Sequence, residues 1–261
     1  MITVKCIHIY PVKSLPPIMV TEHEIIPEGL KLDRNWMLTD FEGKFITQRK
    51  FPQLAKVKVS LQKDYLGFAV NDSEIKVPFD SFERPDKAVV WDDPLEVLGG
   101  DSSIDTWFSD FLGFSCKLVR FKEGQKRNSQ YNQGQVSFAD RLPLLLINEA
   151  SVQDLKEKHE LHLSPLHFRP NIVLSGALPF EEDTWRLFSI GKTKMKGEGP
   201  CMRCKMIGIN PYTGEVEKDA LSHLKQIRGN KEGTPFGLLC SPLNTGVIRK
   251  GDTLQIAQSE K

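Results

Sequence analysis

Cysteine is scarce in this 261-residue chain: Cys6, Cys116, Cys201, Cys204 and Cys240 form an odd, scattered set. That argues against a disulfide framework and fits a reducing compartment. Long apolar runs are missing too. No stretch approaches the roughly 20 apolar residues that a membrane-spanning helix needs. The opening MITVKCIHIYPVKSLPP alternates like a strand and has no mark of a targeting segment. Nor does one sign of charge prevail: 35 basic residues meet 34 acidic ones, for a net charge of +1. The global field therefore advertises no nucleic-acid or membrane partner, and any anion site has to be local. There is no glycine-rich phosphate loop, no G-x-S-x-G elbow, no dinucleotide fingerprint and no internal repeat. A cytoplasmic protein is the expectation.

What is present is an ordinary core: 39% hydrophobic and 26% charged residues. The length exceeds the common single-domain size of roughly 100 to 200 residues. Two domains sharing one site are therefore expected. ITVKCIHIY, IMVTEHEII, WMLTD, KFITQ, VKVSLQKD, YLGFAV, SEIKVPF and AVVWDDPLEVL alternate apolar with polar side chains, and Gly, Pro and Asp punctuate them. This predicts an antiparallel meander or barrel, so the fold class is mainly β with a few short helices, α+β.

DSSIDTWFSDFLG breaks the pattern, because Ile104, Trp107, Phe108, Phe111 and Leu112 recur at helical spacing before Gly113. KLVRF follows as a strand. RLPLLLINEASVQDLKEKH then predicts a buried strand running into a helix capped by Asn148 or Ser151. HFRPNIVLSG predicts a second buried strand entered through an Arg-Pro step. KMIGIN reads as a strand, DALSHLKQIRGN as a helix closed by Gly229, and GVIRKGDTLQIA as a hairpin-like pair. The polar EGQKRNSQYNQGQ reads as a loop, either solvated or bordering an active site.

The sharpest chemical feature is GPCMRCKM, residues 199–206, where Arg203 and Lys205 flank a C-x-x-C pair. Nearby cations favour thiolate over thiol. Such a sulfur serves a dithiol redox pair, a zinc site completed by Cys240 or His223, or a soft metal whose remaining ligands come from a cofactor. Two small buried hydrophobes are the bland alternative. Lys13, Arg34, Arg49 and Arg169 stand beside strands rather than in charge runs, as cations do that either pair with a carboxylate or grip an anion. His159, His162 and His167 lack the spacing of H-E-x-x-H and read as helix end and loop.

Taken in order, YPVKS, LDRNWML, ITQRKFPQLAKV, DRLPLLLINEASVQDL, HFRPNIVLSG, EEDTW, CMRC and NPYTGEV resemble one family across nearly the whole chain. It is the family of MOSC-domain proteins with an N-terminal β-barrel partner, which includes the mitochondrial amidoxime reducing component and its bacterial homologues. The resemblance implies an N-terminal β-barrel-like domain, residues 1–118, packed on a MOSC β-barrel domain, residues 119–261. It implies a molybdenum cofactor (Mo-molybdopterin) between them, with Cys204 as the metal ligand and catalytic centre. Lys13, Ser14, Arg34, Asp140, Arg169 and Arg203 would hold the pterin and its phosphate, Asp140 by accepting from pterin amino groups. Met202 stands where relatives often carry Ser. The implied activity is reduction of N-hydroxylated small molecules, hydroxylamines and amidoximes. Electrons would come from a separate ferredoxin-like, flavin reductase or cytochrome b5-like donor, since no ferredoxin domain is seen in the sequence. Sulfur handling or cofactor carriage is the alternative.

Overall fold

The computed structural model describes residues 1–129 and 134–257. Four of the residues in the polar stretch 123–135, namely 130–133, lie outside the described residues. The expectation that this stretch borders an active site therefore falls partly outside the described residues.

Strands dominate, as the alternation predicts. The largest sheet has eight strands, and its core is a cluster that includes Leu144, Leu146, Ile172, Leu174, Trp185 and Leu238. Most of its strands come from the second half of the chain, but Thr3–Ile9 and Ile18–Val20 belong to it as well. Thr3–Ile9 lies antiparallel to Ile172–Ser175, with Ile7 opposite Ile172. This places Val4, Ile7 and Ile9 inside that core. Glu22–Ile26 likewise pairs with Gly246–Arg249.

The first half keeps a five-stranded sheet in which Val12–Lys13 runs parallel to Trp36–Asp40. It also keeps the three-stranded meander Lys58–Leu61, Tyr65–Val70 and Ser73–Pro78. Helix α1, Ser102–Leu112, packs Ile104 and Phe108 onto this region, and Gly113 ends it in the left-handed region, where a glycine costs least. Residues 118 and 119, the expected division between the halves, lie inside the strand Cys116–Phe121 of the five-stranded sheet.

Helix α2, Glu149–His159, starts where Asn148 accepts from the Ala150 amide at 3.1 Å. The other possible cap, Ser151, is buried and bonds Glu182 instead. This helix joins two strands, Leu144–Asn148 and Ile172–Ser175, in the strand-helix-strand order expected; paired side by side they run parallel, which the apolar alternation did not foretell. Helix α3, Ala220–Arg228, ends before Gly229 as expected.

Three expectations are corrected. KMIGIN is a 3-10 turn over Lys205–Gly208, followed by a single bridge from Ile209 to Val216. Its spacing of Met206, Ile207 and Ile209 imitates a strand, but Glu217 turns back over Gly208, leaving no space there for a β-carbon. KFITQ contributes isolated bridges and no strand. GVIRKGDTLQIA forms two strands that do not pair with each other: Gly246–Arg249 joins Glu22–Ile26, and Leu254–Ile256 joins Leu187–Ile190.

Candidate functional site

Between Thr3–Ile9 and Ile18–Val20 the chain leaves the large sheet, adds Val12–Lys13 to the five-stranded sheet, and returns. This excursion sets Lys13 and Ser14 on the seam between the two sheets. A cavity of about 270 Å³ opens there, and Lys13, Ser14, Arg34, Asp140, Arg169, Arg203 and Cys204 all line it. Every residue assigned to the site by resemblance therefore reaches one place.

The backbone bends sharply to bring them in. Ser14 (φ 69°), Arg34 (φ 50°), Trp91 (φ 59°) and Arg169 (φ 57°) all adopt left-handed conformations without being glycine, and all four line the cavity. Such backbone costs on the order of 1 kcal/mol or more per residue and gathers where side chains must be aimed.

The Tyr10 ring is the organising surface for two of the cations. The Arg34 and Arg169 guanidinium carbons lie 4.2 and 4.4 Å from its centroid, within the range of cation-π attraction. Arg34 also pairs with buried Asp33 and donates to Asn171 Oδ1 at 3.1 Å. Arg169 Nη2 donates to the Leu15 carbonyl at 2.8 Å. Burial drives the Tyr10 hydroxyl up to about 12, against the opposing pull of the two arginines. Burial likewise pulls Arg169 down to about 10.

Lys13 is 5% exposed, donates to the Phe138 carbonyl at 2.8 Å and pairs with Asp140. Burial lowers its pKa, with Asp140 acting in the opposite sense. For Asp140, desolvation acts upward, but Lys13, a 3.0 Å hydrogen bond from Trp91 Nε1 and the charge of Arg49 outweigh it and hold the carboxyl at about 2. Asp140 is thus an anion at any physiological pH.

Cys204 is exposed and immediately precedes the 3-10 turn, while Cys201 is half-buried. The cation of the motif serves the first sulfur: Arg203 Nη1 donates to Cys201 Sγ at 2.9 Å, and its Nη2 donates to the Phe168 carbonyl at 2.7 Å. Leu142, Leu145 and Leu239 make an apolar floor against Cys201. A zinc centre finds no support. Cys240 is fully buried in its strand, with its thiol pushed upward by burial, and no cluster of three or more metal-ligating side chains occurs among the described residues.

Six cationic side chains line the cavity, namely Lys13, Arg34, Arg49, Arg141, Arg169 and Arg203, against the carboxylate of Asp140 among the described residues. Arg203 Nε is buried and finds no hydrogen-bond partner among the described residues. Half-buried guanidinium groups, one with a buried donor to spare, suit a phosphate, since an anion of that charge is costly to desolvate unless charge-assisted hydrogen bonds meet it. The exposed Cys204 adds a soft ligand.

Residues 1–115 match the family model described as MOSC N-terminal beta barrel domain, and residues 133–255 match the MOSC domain model. A mitochondrial amidoxime-reducing component 1 of Mus musculus is 31% identical over 97% of this chain and 82% of its own length. The chain belongs to the MOSC-domain family.

Molybdenum cofactor sulfurases also match this MOSC protein. That of Oryza sativa subsp. japonica is 31% identical over 98% of the chain and 34% of its own length; that of Arabidopsis thaliana is 32% identical over 90% and 32%. The chain thus spans about a third of the sulfurases it matches. Among its described residues no helix is long and apolar enough to cross a membrane.

Beyond the residues assigned by resemblance, the MOSC seam recruits Tyr10, Asn171, Phe45, Trp91 and Arg49. Arg49 is already conspicuous in the sequence as an isolated cation. Tyr10 precedes the Pro-Val-Lys step and carries no chemical signal of its own, because its function is to support two arginines distant in sequence. Trp91 sits in the two-residue turn of a hairpin, where nothing in the sequence points toward a cavity.

Proposed function

We propose that the chain is a molybdenum-cofactor-dependent reductase of N-hydroxylated small molecules. The observation that carries this reading is the convergence of cations from both halves of the chain and the exposed Cys204 thiol on one cavity. Lys13, Arg34, Arg169 and Arg203 would hold the phosphate, Ser14 would add a hydroxyl, and ionised Asp140 would accept from the amino groups of the pterin. Cys204 would be the protein ligand to the metal.

When bound, the cofactor supplies two-electron redox chemistry. The overall change is balanced as R-NHOH plus two electrons and two protons giving R-NH2 and water, the electrons arriving from a separate redox protein. The chain's own contribution is position and field. Cations already fixed by Tyr10, Asp33 and main-chain carbonyls need little reorganisation to meet an anion, and the apolar floor of Leu142, Leu145 and Leu239 excludes water beneath it.

The test is purification from a host that makes the cofactor, followed by quantification of metal and oxidised pterin and a screen of hydroxylamines and amidoximes. Near-stoichiometric molybdenum with turnover supports the reading; a chain free of both metal and pterin defeats it. The sulfurase relatives favour a second reading, sulfur handling or carriage of the cofactor. Labile sulfur on Cys204 in a protein without reductase activity would decide for that one.

A further inference from the structure

Arg49 lines the cavity, yet it makes neither a hydrogen bond nor an ion pair with any described residue. Its guanidinium carbon lies 4.9 Å from the Trp91 ring centroid, and its charge acts on Asp140 without a hydrogen bond between the two. The other cations are anchored differently. Lys13 pairs with Asp140 and Arg34 with Asp33, while Arg169 and Arg203 donate to main-chain carbonyls. Arg49 therefore keeps its planar fork of donors open.

Both partners are held rigidly. Arg49 lies in a tight turn in which the Lys50 and Phe51 amides donate to the Thr47 carbonyl, each at 3.0 Å. Trp91 is fixed by its bond to Asp140 and by edge contact with Phe45, ring centroids 5.2 Å apart.

The hairpin that carries Trp91 shows that the ring is maintained at a cost. Val90 pairs with Asp93, so Trp91 and Asp92 form a two-residue turn, with positive φ at Trp91 only. That geometry favours glycine in the first turn position. A large aromatic side chain stands there instead, 43% exposed at the cavity, with an arginine laid over it.

We infer that Arg49, backed by Trp91, is a subsite for a carboxylate on the substrate, so that the preferred compounds carry a carboxylate as well as the N-hydroxylated nitrogen. A guanidinium fork matches a carboxylate by two parallel hydrogen bonds, and stacking on an aromatic face fixes its plane in advance. This rests on the reductase reading above for the identity of the N-hydroxyl group, but the anion subsite is measured without turnover.

Calorimetric titration of the cofactor-loaded protein with 4-carboxybenzamidoxime and with benzamidoxime gives a ratio of dissociation constants. About a tenfold preference for the carboxylate is expected in the wild type, the size of one charge-assisted contact. The ratio is expected to fall to about one in Arg49→Gln, and in Trp91→Gly, which suits the turn but removes the platform. Arg49→Lys, which keeps the charge without the fork, is expected to recover only part of the preference.

Molybdenum and pterin are measured in each variant. Their loss from Arg49→Gln would assign the arginine to the cofactor and overturn the subsite, as would equal affinity for both probes in the wild type. An Arg49-dependent preference in a protein that reduces neither probe would keep the subsite and remove the reductase reading.

Discussion

The two sulfurs of the C-x-x-C motif are chemically similar and structurally unlike. Cys204 is exposed at the cavity, whereas Cys201 is half-buried and accepts a hydrogen bond from Arg203. Cys204→Ser is expected to lose molybdenum and at least 100-fold in reductase activity, about 3 kcal/mol of transition-state stabilisation. Cys201→Ser is expected to keep metal and lose less. Metal analysis beside kinetics checks the pair, and equal retention in both variants would remove Cys204 as the ligand. Tyr10 offers a second comparison. Its hydroxyl is buried without a partner among the described residues, so Tyr10→Phe is expected to keep the stacking of Arg34 and Arg169 and to hold or gain about 1 kcal/mol of stability. Tyr10→Leu removes the ring and is expected to lower pterin retention several-fold, measured after oxidation. Cys204 is legible in the C-x-x-C motif by itself, whereas the cations are legible as a site only as a set, because a lone arginine beside a strand is most often an ion pair. Tyr10 and Trp91 were not legible as site residues, since their contacts are with residues remote in sequence.

At the scale of the element, patterning succeeds where a strand alternates cleanly and fails where a tertiary contact decides. Ser102–Leu112, Glu149–His159 and Ala220–Arg228 follow their helical spacing, with Asn148 capping the second and Gly113 and Gly229 closing the first and third. Lys205–Gly208 does not follow its apolar spacing, because Glu217 closes over Gly208 and curls the segment. The first strand carries a testable sensitivity. His8 on Thr3–Ile9 is 7% exposed, its Nδ1 finds no partner among the described residues, and burial lowers its pKa to about 4. The unfolded chain binds a proton at His8 with the ordinary pKa near 6.5, so between these values the unfolded state holds more protons. Stability is therefore full above about pH 6.5 and declines as pH falls toward 4, by on the order of 3 kcal/mol at most. Thermal melts across this range are expected to show the decline, and His8→Met is expected to flatten it.

At the scale of the molecule, the two halves are not independent in their hydrogen bonding. The core of the large sheet takes Val4, Ile7, Ile9, Ile25 and Leu30 from the first 30 residues, while the rest comes from beyond residue 143. A fragment of residues 119–257 alone would lack those side chains and two edge partners, and is expected to give no cooperative thermal transition by circular dichroism. Co-expression with a peptide of residues 1–31 is expected to restore one. Sequence reading gave a mainly β chain with a shared site, but not this exchange of strands, since a strand's alternation tells which face is buried and not which sheet receives it.

That exchange also governs the order of events as the chain is made. Thr3–Ile9 leaves the ribosome some 170 residues ahead of its neighbour Ile172–Ser175, and the bridge from Thr3 to Thr253 spans some 250 residues. At roughly 5 to 20 residues per second, the apolar face of Val4, Ile7 and Ile9 waits on the order of ten seconds or more for its cover. Until then the apolar face of this short segment is open to a chaperone.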